Sequence, residues 1–161
     1  MNLVNPYRFA TASVSTSYAN SGGTGDRTAS ITVTKSASAS IVGALSRFVG
    51  LGASGTYFSS VPDGEWLKFD FGSGVTKVIT ELTYSQSHAY AQGTWQLEGS
   101  NDDSTWTAVG GTFTLAAATS QTSGSAFSSN STYYRYYRIK KTAGSVSGAP
   151  WAYAFEFKIS A

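Results

Sequence analysis

The chain has 161 residues, of which 41% are hydrophobic, 14% aromatic and 12% charged, with a formal net charge of +2 and no cysteine. This length fits one domain with its own core, and the composition excludes a disordered chain. The small net charge argues against nucleic-acid binding, and the lack of cysteine excludes disulfides and thiolate metal sites. No stretch approaches the ~20 apolar residues of a membrane span, so we expect no membrane insertion.

Residues 1–26 begin with an aromatic and basic cluster, Tyr7, Arg8 and Phe9, and end in a Ser/Gly-rich stretch. Two interpretations of this segment are open. It is either an arm that docks to a partner, since Tyr and Arg often anchor interfaces, or a first strand with Tyr7 and Phe9 in the core. The segment starts with Met and lacks the apolar core of a secretory signal. An extracellular role would therefore need release by cell lysis or by a non-classical route.

Apolar and polar residues alternate along much of the remaining chain, which is the pattern of half-buried strands. Seven or eight short strands are predicted, at 29–34, 65–71, 78–84, 94–99, 106–108, 113–115, 137–140 and 155–159. Residues 41–45 fit either a strand or a short helix, and 116–131 resemble a loop. No helical stripe is present, so we expect less than about a tenth of the residues in α-helix. The pattern predicts one all-β domain over 1–161, a sandwich or barrel.

Few residues are candidates for catalysis. Residues 50–55 match G-x-G-x-x-G, but a dinucleotide site needs a helix next, and the sequence that follows does not predict one. His88 is the only histidine, so the usual triads and zinc sites lack partners. Most of the nine carboxylates fall in turns or on solvent faces of strands, whereas a glycosidase needs a facing pair. We predict a protein without enzymatic activity, and a small glycan-active enzyme remains an alternative.

Residues 133–138, with the sequence YYRYYR, form the most unusual string in the chain. In one interpretation, one side of a strand lies in the core and the other carries a ladder of aromatic rings and guanidinium groups. In the other interpretation, the string is a surface patch that binds a protein partner.

Three segments resemble discoidin-like domains, the coagulation-factor type C or galactose-binding-like family. They are 64–72 (GEWLKFDFG), 93–106 (GTWQLEGSNDDSTW), and 134–139 (YRYYRI) together with 155–157 (FEF). Their order and spacing agree with the family over residues 57–159. The resemblance implies an antiparallel jelly-roll β-sandwich with its ligand loops at one end. It also implies binding of glycans, lipid headgroups or proteins rather than catalysis.

The middle segment predicts a hairpin. Trp95 and Trp106 are expected to be largely buried on its two sides. The turn between them, Asn101 to Ser104, is rich in residues that form Asx hydrogen bonds with their own backbone. Gly99 is expected to let the backbone bend where the strand leaves the sheet.

The resemblance places recognition in loops that we assign to residues 47–57 and 87–92. A glycan site needs an aromatic surface and a few fixed hydrogen-bonding groups. The polar and aromatic residues of these loops are the predicted ligand-binding residues: Arg47, Tyr57, His88, Tyr90 and Gln92.

Members of the family often hold a structural calcium ion with an Asp-Gly loop and a late Glu. Glu156 matches that Glu, but Ala44 to Arg47 replace the Asp-Gly sequence. We therefore expect no cofactor and no metal requirement, and a calcium site built from backbone carbonyls remains the alternative.

Residues 5–10 (NPYRFA), together with the R-Y-x-R-I strand, resemble proteins of tailed bacteriophages. We therefore interpret the chain as a phage virion surface protein located in the virion: a capsid decoration, fibre or tail-associated protein. We expect it to form a homo-oligomer, to attach to other virion proteins through Tyr7, Arg8 and Phe9, and to contact host glycans. The alternative is a free-standing bacterial carbohydrate-binding module or lectin.

Overall fold

Two antiparallel sheets, of five and four strands, form the body of the protein in a computed structural model that describes residues 14–51 and 55–161. The strands are β1 Thr16–Ser17, β2 Thr32–Lys35, β3 Ser40–Val42, β4 Tyr57–Ser60, β5 Trp66–Asp70, β6 Ile79–Gln86, β7 Gln92–Ser100, β8 Thr107–Leu115, β9 Ser120–Thr122, β10 Tyr136–Val146 and β11 Ala152–Ser160. Leu45–Val49 form a 3-10 helix, and the described residues contain no α-helix. Within the same residues, no helix has the length and apolar character needed to cross a bilayer. The expected all-β class is confirmed.

The strand order places strands together that are distant in the chain. The five-stranded sheet has the order β2-β5-β10-β7-β8, the four-stranded sheet has the order β1-β11-β6-β9, and β3 pairs with β4. Ile139 of β10 lies between Leu67 of β5 and Leu97 of β7, so three buried apolar side chains share one face. The architecture is the predicted antiparallel sandwich, with its core between the two sheets.

Aromatic rings fill the core, because alternate residues of facing strands point inward. The ring of Phe69 in β5 lies 5.6 Å from that of Phe155 and 5.0 Å from that of Phe157, both in β11. The ring of Trp95 in β7 lies 5.3 Å from that of Phe58 in β4. All five side chains are almost completely buried. These contacts join the two sheets.

Several segments contain more regular structure than the sequence pattern indicates, among them β1 and β4, which lie outside the predicted strands. The ambiguous segment 41–45 is divided, since β3 ends at Val42 and the 3-10 helix begins at Leu45. The predicted loop 116–131 contains β9, which pairs with β6. Strands of three residues are too short to show a clear period in the sequence.

The buried face of β6 also differs from its prediction. Alternation predicts that four residues share this face: Val78, Thr80, Leu82 and Tyr84. In the structure Ile79 is fully buried and Thr80 is only half-buried. The register with β11 shifts beside Ile159, and such an irregularity turns neighbouring side chains toward other faces.

Trp106 lies outside the core, so the prediction of its burial is wrong. Its side chain is half-buried, and the guanidinium carbon of Arg138 lies 4.2 Å from its ring centroid. Because β8 begins only at Thr107, the alternation of that strand does not direct Trp106 inward. The prediction is correct for Trp95, which is fully buried.

The turn between β7 and β8 has the predicted Asx hydrogen bonds. Asp102 Oδ1 accepts the N–H groups of Thr105 at 2.7 Å and Ser104 at 2.9 Å, and these bonds hold the pKa of the Asp102 carboxyl well below its usual range. Gly99 has another role than the predicted bend. A Cβ at this position would lie 2.3 Å from the ring of Tyr134, so glycine is what allows that ring to pack.

The string 133–138 forms the core-and-ladder arrangement. Arg138 Nε lies 2.6 Å from Glu98 Oε2 on the outer face of the five-stranded sheet. Arg135 donates to both carboxylate oxygens of Asp70, at 2.8 and 2.9 Å. Each guanidinium is therefore neutralised by a carboxylate of a neighbouring strand. Binding of a protein partner on this face remains a prediction.

Replacing Trp95 with Ala should lower the free energy of unfolding by about 3–5 kcal/mol, because a fully buried side chain is lost and a cavity remains. Chemical denaturation followed by circular dichroism measures the change. Trp106→Ala is the matched control and should cost about 1–2 kcal/mol, the scale of a half-buried cation–π contact. Equal losses in the two variants would contradict the different positions of the two indoles.

Candidate functional site

Two loops lie side by side at the end of the sandwich where β6 and β10 finish and β7 and β11 begin. The N–H of Ser87 donates to the carbonyl oxygen of Trp151 at 2.8 Å, and the N–H of Trp151 donates to Ser87 Oγ at 3.0 Å. This reciprocal pair fixes the loop between β6 and β7 against the loop between β10 and β11. The first of these is a loop that the sequence assigns to recognition.

An exposed aromatic pair is built around Trp151. Its indole contacts the ring of Tyr57 edge to face, with centroids 5.5 Å apart and planes at 79°. Trp151 is 44% exposed and Tyr57 is half-buried. The N–H of Ala152 donates to the carbonyl oxygen of Thr56 at 2.7 Å. This bond joins the start of β11 to the start of β4 and so brings the two rings together.

Arg47 lies beside the aromatic pair. It belongs to the last turn of the 3-10 helix and is exposed. Arg47 Nη1 lies 3.4 Å, and Trp151 Cζ3 3.5 Å, from the position that a Cβ on Gly55 would occupy. The absence of a side chain at Gly55 therefore leaves room for both groups. A cationic hydrogen-bond donor stands next to an aromatic ring.

His88 and Tyr90 form the adjoining part of the surface, with ring centroids 6.1 Å apart. His88 Nδ1 lies 2.9 Å from Ser87 Oγ. When Ser87 donates this bond, the neutral imidazole carries its proton on Nε2 and offers it as a donor. A Cβ at Gly148 would lie 2.4 Å from the ring of Tyr90, so glycine allows this ring to pack on the second loop.

Gln92 is fully buried, so its predicted direct contact with a ligand is wrong. Its Nε2 donates to the carbonyl oxygens of Ser147 at 3.0 Å and Tyr90 at 3.4 Å. The buried side chain of Gln86 donates to the same oxygen of Tyr90 at 2.6 Å. Two side-chain amides thus hold the backbone of the recognition loop from below, and Gln92 positions Tyr90.

The other four predicted ligand residues do lie at one end of the sandwich. With Trp151 they form a surface that we call the aromatic platform: Arg47, Tyr57, His88, Tyr90 and Trp151. Trp151 is not among the predicted ligand residues, because it follows Gly-Ala-Pro in a segment without alternation. A large aromatic residue in such a loop, outside any predicted strand, is the signal that identifies it.

A polar groove of about 380 Å³ lies between β4 and the end of β10. Lys141 lies at its base, 3% exposed, and its Nζ donates to Asp63 Oδ1. The Asp63 side chain is 60% exposed, so its carboxylate keeps acceptor positions for a ligand. Ser59, two residues after Tyr57, and Ser145 line the walls. The groove can therefore exchange hydrogen bonds with a polar molecule that extends from the platform.

Asp63 is the one carboxylate that lines the groove or the platform in the described part of the chain, whereas a glycosidase uses a facing pair. Across residues 14–51 and 55–161, no three His, Asp or Glu side chains gather as metal ligands. Tyr7, Arg8 and Phe9 lie outside the described residues, so their docking role remains a prediction.

The sequence matches no protein-family model and no curated protein. Among solved structures, the chain is similar to CpGH89CBM32-5 of Clostridium perfringens, solved in complex with GalNAc-β-1,3-galactose, with a TM-score of 0.59 and 14% identity over 83% of this chain and 98% of that one. It is also similar to chitosan-binding module 1 of a chitosanase/glucanase from Paenibacillus sp. IK-5, with a TM-score of 0.52 and 19% identity over 80% and 94% of the two chains. For CpGH89CBM32-6 of Clostridium perfringens, the TM-score is 0.51 and the identity 12%, over 80% and 92%.

These similarities, together with the strand order, establish the fold. The chain is a β-sandwich of the galactose-binding-like, or discoidin-like, type, as its sequence motifs indicate.

Proposed function

We propose that this protein is a non-enzymatic module that holds a glycan on the aromatic platform. The observation that carries the proposal is the exposed indole of Trp151. Its ring packs edge to face against Tyr57, and the backbone of Trp151 is held by two hydrogen bonds to Ser87. A sugar ring can pack its C–H groups on such a surface. Side chains that are already fixed in the free protein lose little entropy when they bind.

Polar groups around the rings support the same function. A small-molecule site combines apolar surface with a few fixed polar groups that set orientation. Arg47, His88 and the hydroxyl of Tyr90 can serve as donors to sugar hydroxyls. Among the proteins of similar fold, one was solved with GalNAc-β-1,3-galactose and another is named as a chitosan-binding module, which supports a glycan as the ligand.

Replacing Trp151 with Ala tests the platform. A glycan array that includes GalNAc-β-1,3-galactose and chitosan oligosaccharides first identifies a ligand, and calorimetry then measures its affinity. The variant should bind at least roughly tenfold more weakly, because it loses a central aromatic contact. Its melting temperature should change by only about 2 °C, since the side chain is largely on the surface.

Tyr133→Ala is the matched control for this experiment. Tyr133 is as exposed as Trp151, at 44%, but lies at the opposite end of the sandwich, beside Asn101. Its loss should leave glycan affinity unchanged. A wild-type protein that binds no glycan on the array, or equal losses in both variants, would contradict the proposal.

We further propose that the groove beside the platform takes the next sugar of a longer chain. Ser59 lies two residues after Tyr57 in β4, at an irregularity in the register with β3, and its side chain lines the groove. Val146, at the other wall, stands two residues before Gly148, which supports Tyr90. The groove is therefore lined by residues that are near platform residues in the chain, on both β4 and the end of β10. At the base of the groove, the ammonium of buried Lys141 pairs with the exposed carboxylate of Asp63. A donor and an acceptor side by side can bind the two hydroxyls of a sugar diol.

Ser59→Leu should reduce the gain in affinity that a longer glycan has over a shorter one. The variant fills part of the groove with an apolar side chain, so a tetrasaccharide should lose the advantage it has over a disaccharide of the same series in the wild type. Ser129→Leu makes the same change at an exposed position near the start of β6 and should leave both affinities unchanged. An unchanged advantage in Ser59→Leu would refute the role of the groove and leave the platform standing.

We propose a tailed-phage virion as the setting of this module, where it decorates the capsid, a fibre or the tail as a homo-oligomer. The support is in the sequence, namely residues 5–10 and the R-Y-x-R-I strand. The arm would attach to the particle while the platform meets host glycans. A free-standing bacterial carbohydrate-binding module or lectin is the alternative, and it is equally consistent with the similar solved structures. The two differ in oligomeric state and in the need for the arm.

Deleting residues 1–9 separates these settings. Light scattering on the purified full chain should show a symmetric multimer, and the truncated chain should be a monomer with an unchanged circular dichroism spectrum. Deleting only residues 1–4 keeps Tyr7, Arg8 and Phe9 and should preserve the multimer. A full chain that is monomeric at high concentration supports the free module, and a truncated chain that unfolds shows that the segment is core.

A further inference from the structure

Arg27 is a buried cation, 3% exposed, whose partners are main-chain carbonyl groups. Its Nη1 donates to the oxygen of Gly23 at 2.7 Å, and its Nη2 to that of Phe155 at 2.6 Å. Nε donates to the oxygen of Gly25 at 3.1 Å, and Nη1 also reaches that of Gly22 at 3.4 Å. The loop thus turns its carbonyl oxygens inward, around the guanidinium.

Glu156 supplies negative charge beside this group of carbonyls. It accepts a hydrogen bond from Thr24 Oγ1 in the same loop. Burial lowers the pKa of Arg27 to about 10, and the charge of Glu156 opposes this shift, so the guanidinium is charged at neutral pH. A charge can remain at such depth because its donors are bonded to oxygens.

Main-chain carbonyls and a carboxylate are also the ligands that Ca²⁺ prefers. The discoidin resemblance implies a structural calcium ion with Glu156 as a ligand. The oxygen types suit that ion, but the guanidinium of Arg27 stands among them at hydrogen-bond distance. Two cations cannot share one set of oxygens at such short range, because they repel each other strongly where water is excluded. The residues present therefore do not fit a calcium ion.

We infer that Arg27 replaces a structural metal ion, its guanidinium being the cation that holds loop 22–25 against β11. The sequence at 44–47 agrees with this inference. Discoidin-like domains often use an Asp-Gly loop here to hold calcium, and a chain in which Arg27 supplies the positive charge does not need those ligands. The N–H of Arg27 also donates to the carbonyl oxygen of Val49 at 2.9 Å, at the end of the 3-10 helix that carries Arg47. The same residue thus supports one edge of the platform.

Arg27→Ala removes the cation and leaves the inward carbonyls and Glu156 in place. Without metal, the melting temperature should fall by roughly 5–10 °C, because buried acceptors lose their donors. About 5 mM CaCl₂ should restore roughly half of the loss or more, since the ion would now have oxygens to bind. The wild type should melt at the same temperature in EDTA and in CaCl₂. Terbium luminescence, sensitised by nearby aromatic rings, should report binding to the variant and none to the wild type.

Two further variants sharpen the result. Arg27→Lys keeps a positive charge, so it should lose less stability than Arg27→Ala and should not respond to calcium. Adding Glu156→Gln to Arg27→Ala should abolish the rescue, because the carboxylate is lost. If Arg27→Ala is soluble only when expressed with calcium, the inference is supported. Insolubility in both conditions, wild-type stability of Arg27→Ala, failure of calcium to rescue it, or calcium dependence of the wild type would overturn it.

Discussion

The packing of Phe155 connects most of the structure. Its ring lies between 4.8 and 6.3 Å from four others: Phe48, Phe58, Phe69 and Tyr84. One side chain of β11 therefore joins the 3-10 helix, β4, β5 and β6 in a single core. The carbonyl oxygen of the same residue accepts a hydrogen bond from Arg27. Phe155 therefore contacts both the aromatic core and the buried guanidinium of Arg27. A substitution in the core near Phe155 should alter the packing of Arg27, and a substitution of Arg27 should alter the packing of the core.

This core also determines where the platform residues lie. Arg47 directly precedes Phe48, and Tyr57 directly precedes Phe58. In β4, Phe58 packs inward on Phe155, so the preceding Tyr57 is directed to the other face of the strand. In the 3-10 helix, which has about three residues per turn, Phe48 packs on Phe155 and Arg47 lies on another face, where it is exposed. The platform is therefore a consequence of burial nearby.

The sequence predicts the long strands well and the short ones poorly. In β5, β7 and β11 the alternation continues long enough to identify the inner face, whereas the three residues of β9 give no period. Trp106 precedes the first residue of its strand, so alternation does not apply to it. Its position depends instead on the guanidinium of Arg138 in a distant strand, which no local pattern contains.

The sequence predicts which end of the sandwich carries the candidate site, but it does not predict every residue of that site. Gln92 has the polarity of a ligand-binding residue, but its side chain is buried and its amide nitrogen donates to the carbonyl oxygens of Tyr90 and Ser147. A loop carbonyl needs a buried side-chain donor only where the contact between two loops shields it from water. The sequence of one loop alone does not show where that contact occurs. Trp151 was missed for the same reason, because its neighbours in space, Tyr57 and Ser87, are far away in the chain.

The most direct measurement of glycan binding at the loop end is an NMR titration of the four tryptophan indole N–H signals. The four occupy different places, since Trp95 is in the core, Trp66 and Trp106 flank Arg138 on the outer sheet face, and Trp151 is on the platform. Titration with GalNAc-β-1,3-galactose or a chitosan oligosaccharide that binds should shift the signal of Trp151 and leave the other three in place. Shifts of Trp66 and Trp106 with Trp151 unmoved would place the ligand on the sheet face and contradict a site at the loop end.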